Sequence, residues 1–387
     1  MTPDRILTRD EAFSPIVPPL TIELTSRCNL KCPYCANPSL KRSYGEMPLD
    51  LIFRLAEECA ASSHRVMAVH GIGEPLLRKD LEVILARFRD LGIWQGWIST
   101  NGAILSVRRM GTLVEAGLKG LYVSIDTLDA DMYRRTRGGR LAKTIENIRQ
   151  CAAAHPNIPF VIGLMSHREQ VIDSTTLDLF YDLFSATPNV HHHSYENMRF
   201  PQAAEDWRRI DPATGRRIEF EQCDQWAYHF TVAIDGRVSL CCVDQEVEHQ
   251  IGDVTKERIS DIWLRASTQN LFRSISFGLS DCPAVCKNCV LKPSTRRLDD
   301  VDPALSKPYS ELVKAAADAE ASGRSNLAIE LLRHLQRRDP WNSEWPQRLD
   351  RLGVTAEPTI FASAAREREA RAKQPPSARF VPSRIEA

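Results

Sequence analysis

The 387-residue chain has no run approaching the ~18 consecutive apolar residues that a membrane-spanning helix needs. Met1 to Pro19 contain no apolar stretch of the kind a secretion signal carries. Both absences point to a cytoplasmic protein with no membrane to bind. Charge of one sign is missing too. Fifty Lys and Arg balance fifty Asp and Glu, so no global basic field exists to recruit nucleic acid. The hydrophobic fraction of 43% builds an ordinary core, and the length allows two or three domains.

What the chain does have is cysteine, eleven in all. In a reducing compartment, thiols in that number favour metal ligation over disulfides. Three of them lie in Thr25-Ser26-Arg27-Cys28-Asn29-Leu30-Lys31-Cys32-Pro33-Tyr34-Cys35, spaced C-x3-C-x2-C, directly after the apolar-alternating run Leu20 to Leu24. Three closely spaced thiolates hold a cubane iron–sulfur cluster by three of its irons, and no fourth cysteine follows nearby. One iron is then left open to bind a small molecule and pass it an electron. Zinc is the competing reading. It wants four ligands in paired knuckles, and here the next candidates are Cys59, in a helical-looking stretch, and His64.

From Thr21 to about Glu196 short strand-like runs alternate with longer amphipathic ones. Strands are expected at 20–25, 66–70, 95–99, 120–125, 159–165 and 189–195. Helices are expected at 49–61, 79–91, 105–116, 130–155 and 168–185. Six such β/α units imply a parallel sheet with helices outside. Functional loops in these sheets lie at the carboxyl ends of strands, where the cysteine loop falls. Farther on, Asp235-Gly236 between two alternating runs reads as a hairpin turn, and a helix is expected at 258–275.

The cysteine triplet, with Tyr34 before its last member and a strand before its first, resembles the radical S-adenosylmethionine (SAM) superfamily. The resemblance implies a partial (β/α)6 TIM-like barrel and a [4Fe–4S] cluster on Cys28, Cys32 and Cys35, with SAM on the fourth iron. It implies that Gly73 and Glu74, in His70-Gly71-Ile72-Gly73-Glu74-Pro75, form the loop that meets the methionine amine of SAM. It also offers Ser99, Thr100 and Asn101 after the third strand, and Ser124 and Asp126 after the fourth, as SAM contacts. Read alone, Asn101-Gly102 is a turn, and Asp126 is equally a cap for the helix starting near Asp129. One of Arg134, Arg135 and Arg137 is offered for the SAM carboxylate. Gly163-Leu164-Met165 is where family members set backbone against adenine. His191 and His193 share one face of the sixth strand and His192 takes the other. With Asp126, His191 and His193 are the acid–base candidates.

Four later cysteines, Cys223, Cys241, Cys286 and Cys289, resemble the auxiliary-cluster extensions of the same superfamily, called SPASM or twitch. They suit one fully ligated auxiliary [4Fe–4S] cluster, with Cys242 and Cys282 spare and Cys241 or Cys242 as the second ligand. A zinc ribbon could use the same set. The expected layout is an extension at 1–18, the barrel at 19–216, a small Fe–S domain at 217–293, a helical hairpin at 305–352 and a disordered tail at 353–387. The hairpin resembles a single tetratricopeptide-type repeat, which binds a protein partner, or else a packed cap. Function follows from the resemblance: reductive cleavage of SAM to a 5′-deoxyadenosyl radical, then hydrogen abstraction from an organic substrate. An external flavodoxin- or ferredoxin-like donor supplies the electron, and the auxiliary cluster accepts one. With about nineteen residues before the first strand, small-molecule or sugar substrates gain weight over peptides. The contrasting reading is a non-catalytic metal-binding scaffold with a helical interaction module.

Overall fold

The computed structural model describes residues 4–61, 66–166, 170–196, 223, 225–227, 229–287, 305–339, 342 and 344–354. Cys289, the 294–304 linker and the tail beyond 354 lie outside these residues. The chain divides into two compact units, one built on 22–60 and 65–216, the other on 1–21 and 217–357.

In the first unit, strands alternate with helices as the periodicity predicts. The strands are β1 (Leu20–Ile22), β2 (Val66–Val69), β3 (Trp94–Thr100), β4 (Leu121–Asp126), β5 (Phe160–Ser166) and β6 (Val190–Glu196). Strands β2 to β6 pair in parallel with their sequence neighbours. The end of β1 lies beside β2, where the His70 amide donates to Ile22 O at 3.2 Å. The order is β6-β5-β4-β3-β2-β1, and β6 does not return to β1, so the sheet is an open partial barrel. Its helices are α1 (Leu49–Ala60), α2 (Leu81–Asp90), α3 (Val107–Ala116), α4 (Ala130–Arg137), α5 (Leu141–Ala154) and α6 (Ser174–Leu183).

The expected single helix at 130–155 is two. Gly138, at φ 76°, ends α4 in the left-handed conformation that glycine adopts without a Cβ clash, and α5 starts three residues later. Capping fixes the helix starts. Asp129 accepts from the Met132 amide at 2.7 Å, so it, rather than Asp126, caps α4. Ile52, Leu55, Ile84, Leu85 and Phe88 are fully buried between helices and sheet, each worth roughly 1.5–3 kcal/mol relative to exposure.

Strand β4 shows how the sheet separates its faces. Leu121, Val123 and Ile125 are buried, whereas Tyr122 and Ser124 are half-buried. The first set packs under helices, and the second faces the open concave side.

In the second unit, β7 (Phe230–Val232), β8 (Arg237–Ser239) and β9 (Gln250–Asp253) form an antiparallel meander, with Gly236 at φ 85° in the expected turn. The expected helix at 258–275 divides at extended Arg265 into α7 (Ile259–Leu264) and α8 (Ala266–Phe277). A short α9 (Ala284–Lys287) follows. Then come α10 (Tyr309–Ala321), α11 (Ser325–Arg338) and α12 (Glu344–Arg351). Ala316, Ala319 and Ala328 are fully buried where α10 meets α11. The N-terminal segment threads this unit. Ser14 O accepts from Trp263 Nε1 at 2.7 Å, and Ser14 N donates to Gln269 Oε1 at 2.7 Å. Buried Arg338 donates to the carbonyls of Phe13, Lys307 and Leu305 and sits 3.8 Å over the Phe13 ring.

Candidate functional site

The cysteine loop leaves β1 at the carboxyl ends of the strands. Its base is closed by the Ser26 amide donating to Gly45 O at 2.9 Å and by the Gly45 amide donating to Ser26 Oγ at 2.8 Å. Asn37 Nδ2 ties it to the next loop through Ile72 O at 3.0 Å and also donates to Ser26 O.

Two of the three sulfurs accept N–H donors. Cys28 takes the Leu30 amide and Asn101 Nδ2, the latter at 3.9 Å, and Cys35 takes the Asn37 amide at 3.4 Å. Cys32 is buried within electrostatic reach of Arg137, Asp126 and both other cysteines. Burial pushes the Cys32 thiol up to about 11 and raises Cys28 as well, against the Leu30 hydrogen bond. Iron must therefore displace protons to bind here. Among the described residues no three His, Cys, Asp or Glu side chains close around a single ion. A cubane fits the triplet better, because each thiolate binds a different iron.

Gly73 lets the second loop approach the first. A Cβ on it would lie 1.9 Å from Thr25 O, and the next amide, of Glu74, donates to Arg27 O at 2.8 Å. Glu74 itself is turned inward. Its carboxylate accepts from the Leu76 amide at 3.0 Å, Thr100 Oγ1 at 2.8 Å and the Asn101 amide at 2.7 Å. Burial raises its pKa, opposed by these three donors. Glu74, Thr100 and the Asn101 backbone thus lock the loops after β2 and β3 together. The Asn101 side chain reaches Cys28 and Asn29 Oδ1. Ser99 Oγ is buried with no hydrogen-bond partner among the described residues, on the face that Tyr122 shares by register.

Asp126 sits at φ 66°, a left-handed conformation that costs a non-glycine residue about 1–3 kcal/mol. Its carboxylate takes Arg137 Nε and Nη2, both at 2.6 Å, and the Tyr34 hydroxyl. Burial opposes the Arg137 charge, but Asp126 and Tyr34 outweigh it and hold its pKa above the ordinary arginine value. Of the three candidate arginines, Arg137 is the buried one, and its partner within the protein is Asp126. Gln170, which sequence reasoning missed, donates to Asp126 O at 3.0 Å.

The histidines separate as the alternation predicts. His192 packs against Phe180 and Tyr181 of α6. His193 lies on the opposite, concave face, with Nδ1 3.1 Å from the Tyr122 hydroxyl, and burial lowers its pKa. His191 shares that face, level with Val161. Ser124 and Gly163 are level with His193. Asp126 lies one strand-step farther toward the cysteine loop, and its charge and that of Arg137 both reach Tyr122.

In the second unit, Cys241 Sγ accepts from the Val243 and Asp244 amides and lies within electrostatic reach of Cys242 and Cys223. Burial raises its pKa. Cys286 is half-buried at α9, and Cys282 is a core thiol donating to Ser274 O at 3.3 Å. The i+2 amide donating to sulfur repeats the pattern at Cys28 and Cys35.

Known proteins match this arrangement in order. Residues 22–175 match the model of the radical SAM superfamily, and residues 223–290 match the iron–sulfur cluster-binding SPASM domain. The chain belongs to the radical SAM superfamily and carries a SPASM domain after its barrel. Such domains hold SAM, its [4Fe–4S] cluster and auxiliary iron–sulfur. The chain is 40% identical over 144 residues to a GTP 3′,8-cyclase of Pelotomaculum thermopropionicum, covering 35% of this chain and 44% of that protein. It is 27% identical over 305 residues to a PqqA peptide cyclase of Xanthomonas oryzae pv. oryzae, covering 70% of this chain and 80% of that one. The match therefore spans less than half of the first relative's length. Its fold resembles that of anSMEcpe, solved with AdoMet and a peptide, at TM-score 0.52 and 14% identity, covering 87% of this chain and 99% of that one. Among the described residues no helix is long and apolar enough to cross a membrane.

Proposed function

We propose that this chain is a radical SAM oxidoreductase that abstracts a hydrogen atom from an organic substrate. The observation that carries it is the cysteine loop, in which Cys28 and Cys35 take N–H donors, Cys32 lies buried within electrostatic reach of both, and Tyr34 braces the loop on Asp126 and Arg137. When bound, the first cluster and SAM supply reductive SAM cleavage and a 5′-deoxyadenosyl radical, and the auxiliary cluster supplies an electron acceptor.

The protein's own residues set up that chemistry. Cys28, Cys32 and Cys35 hold the first cluster, and Cys223, Cys241, Cys286 and Cys289 the second. Gly73 carries the backbone of the SAM loop against the cysteine loop. Glu74, Thr100 and Asn101 fix the loops beside it, and Ser99 and Ser124 line the concave face. His191 and His193 lie on that face and are the groups that accept a proton from substrate. Asp126, held in its ion pair, orients the cysteine loop and carries charge beside the site. An external flavodoxin- or ferredoxin-like protein delivers the electron, and the 308–352 hairpin offers a surface for a protein partner. The substrate is a peptide or protein side chain, or a sugar-like small molecule. The long alignment with a peptide cyclase favours the first.

Anaerobic reconstitution tests the reading. The protein should bind about eight irons, four per cubane, and release 5′-deoxyadenosine from SAM under dithionite. Tightly held zinc with almost no iron would refute it.

A further inference from the structure

Asn101-Gly102 reads in sequence as a turn, and the turn aims a side chain at the cysteine loop. Gly102, at φ 72°, bends the chain after β3 so that the Ala103 amide comes back onto Asn101 Oδ1 at 2.9 Å. A backbone N–H can only donate, so the atom facing Ala103 is the oxygen, and the nitrogen faces the other way. There Asn101 Nδ2 gives one hydrogen to Asn29 Oδ1 at 2.8 Å and directs the other at Cys28 Sγ at 3.9 Å. Both hydrogens are thereby committed to the cysteine loop. The Asn101 backbone is anchored as well. Its amide donates to Glu74 Oε2 at 2.7 Å, and Thr100 Oγ1 holds the other oxygen of that carboxylate at 2.8 Å. The remaining N–H groups on these sulfurs, from Leu30 to Cys28 and from Asn37 to Cys35, belong to the backbone. Among the described residues, Asn101 is the side chain that donates to a sulfur of the triplet.

We propose that Asn101 is a redox-tuning residue, whose Nδ2 hydrogen raises the reduction potential of the first cluster through the Cys28 sulfur. Reduction adds one electron and neither makes nor breaks a bond. The added negative charge spreads over the iron, the sulfide and the thiolates. An N–H dipole aimed at one thiolate then stabilises the reduced state more than the oxidised one. Asn101 is buried and Cys28 half-buried, so little water screens the contact. The turn, the Glu74 anchor and Asn29 hold the donor in place, so reduction requires no rearrangement of it. The inference rests on the proposed cubane on Cys28, Cys32 and Cys35, and its readout is a potential rather than turnover.

The experiment is an anaerobic potential titration of the reconstituted full-length protein without SAM, followed by electron paramagnetic resonance. The signal that SAM alters in a parallel sample marks the first cluster, and the auxiliary cluster is the internal reference. Asn101→Leu has similar size and no donor. It should lower the reduced-to-oxidised ratio of the first cluster at a fixed potential by roughly three- to tenfold and leave the reference in place. Asn101→Asp keeps the shape, replaces the donor with negative charge, and should lower the ratio further. Asn29→Ala keeps the Ala103 and Cys28 contacts, and its ratio should stay at the wild-type value. Equal potentials in wild type and Asn101→Leu, with about eight irons in each, overturn the proposal alone. A shift in Asn29→Ala as large as that in Asn101→Leu also overturns it, since the effect would then belong to the loop as a whole. Loss of the first cubane from both Asn101 variants overturns it in favour of a purely structural role. A wild-type chain that binds no iron at the triplet would refute the proposed function and this inference with it.

Discussion

Arg137 holds both carboxylate oxygens of Asp126, each at 2.6 Å, from the last turn of the helix that follows the Asp126 strand. Tyr34, one residue before Cys35, donates to the same carboxylate, and the Arg137 guanidinium lies 5.7 Å from the Tyr34 ring centre. One buried ion pair therefore fixes the position of the cysteine loop. Removing one partner leaves a buried charge without compensation. Asp126→Asn or Arg137→Met should each destabilise the fold by about 3–5 kcal/mol. Urea unfolding under anaerobic conditions measures this, and the double variant should recover part of the loss. A single-variant cost below about 1 kcal/mol would mean that the pair is solvated and not a brace.

Gly73→Ala should be far more damaging than its one methyl suggests. The new carbon would meet a backbone oxygen, Thr25 O, at 1.9 Å, and no flexible side chain is there to yield. The loops after β1 and β2 would have to separate, and the Glu74 amide would lose Arg27 O. Iron content should fall from about eight to about four per chain as the first cubane is lost and the second retained. Full iron content in this variant would show that the loop tolerates the shift.

The barrel was legible because its strands are short, rich in Val and Ile, and regularly spaced between amphipathic helices. The cysteine triplet was legible because thiols so close in sequence stay close in space, each within electrostatic reach of the others. What escaped was set by tertiary contact. The motif assigns the Glu74 backbone to a ligand and says nothing of its carboxylate, which three inward donors claim. Three arginines on one helix look alike in sequence, and only burial singles out Arg137. Tyr122 needed the parallel register to reveal its partner His193. The third meander strand, β9, is a four-residue Gln250–Asp253 segment too short and polar for any period to show.

Cys241 and Cys242 are adjacent, and sequence spacing alone left the ligand open. The amides of Val243 and Asp244 both donate to Cys241 Sγ, as amides do to Cys28 and Cys35. Cys241→Ala should remove the auxiliary iron, about four atoms per chain. Cys242→Ala should retain it. Iron analysis and Mössbauer spectra of the two variants decide the question, and the reverse pattern would assign Cys242.

His334 gives the second unit an acid sensitivity. Its ring stacks on Phe277 at 5.2 Å, and its Nδ1 lies 2.8 Å from Arg337. Burial, then Arg338 and Arg337, push its pKa down to about 2. Burial, then the charges of Arg273 and Arg337, lower the pKa of Arg338 itself to about 9. The folded state thus keeps His334 neutral while the unfolded chain protonates it near the ordinary histidine value. The stability that neutral His334 contributes is complete above about pH 6.5 and is lost as pH falls, at about 1.4 kcal/mol per pH unit for one proton. Between pH 6 and pH 4.5, His334→Gln should remove up to that much of the slope of unfolding free energy against pH, whatever it does to the stability at pH 7. Chemical denaturation at a series of pH values measures both slopes. Parallel slopes in the two proteins would show that His334 is protonated in the folded state and that another group carries the acid sensitivity.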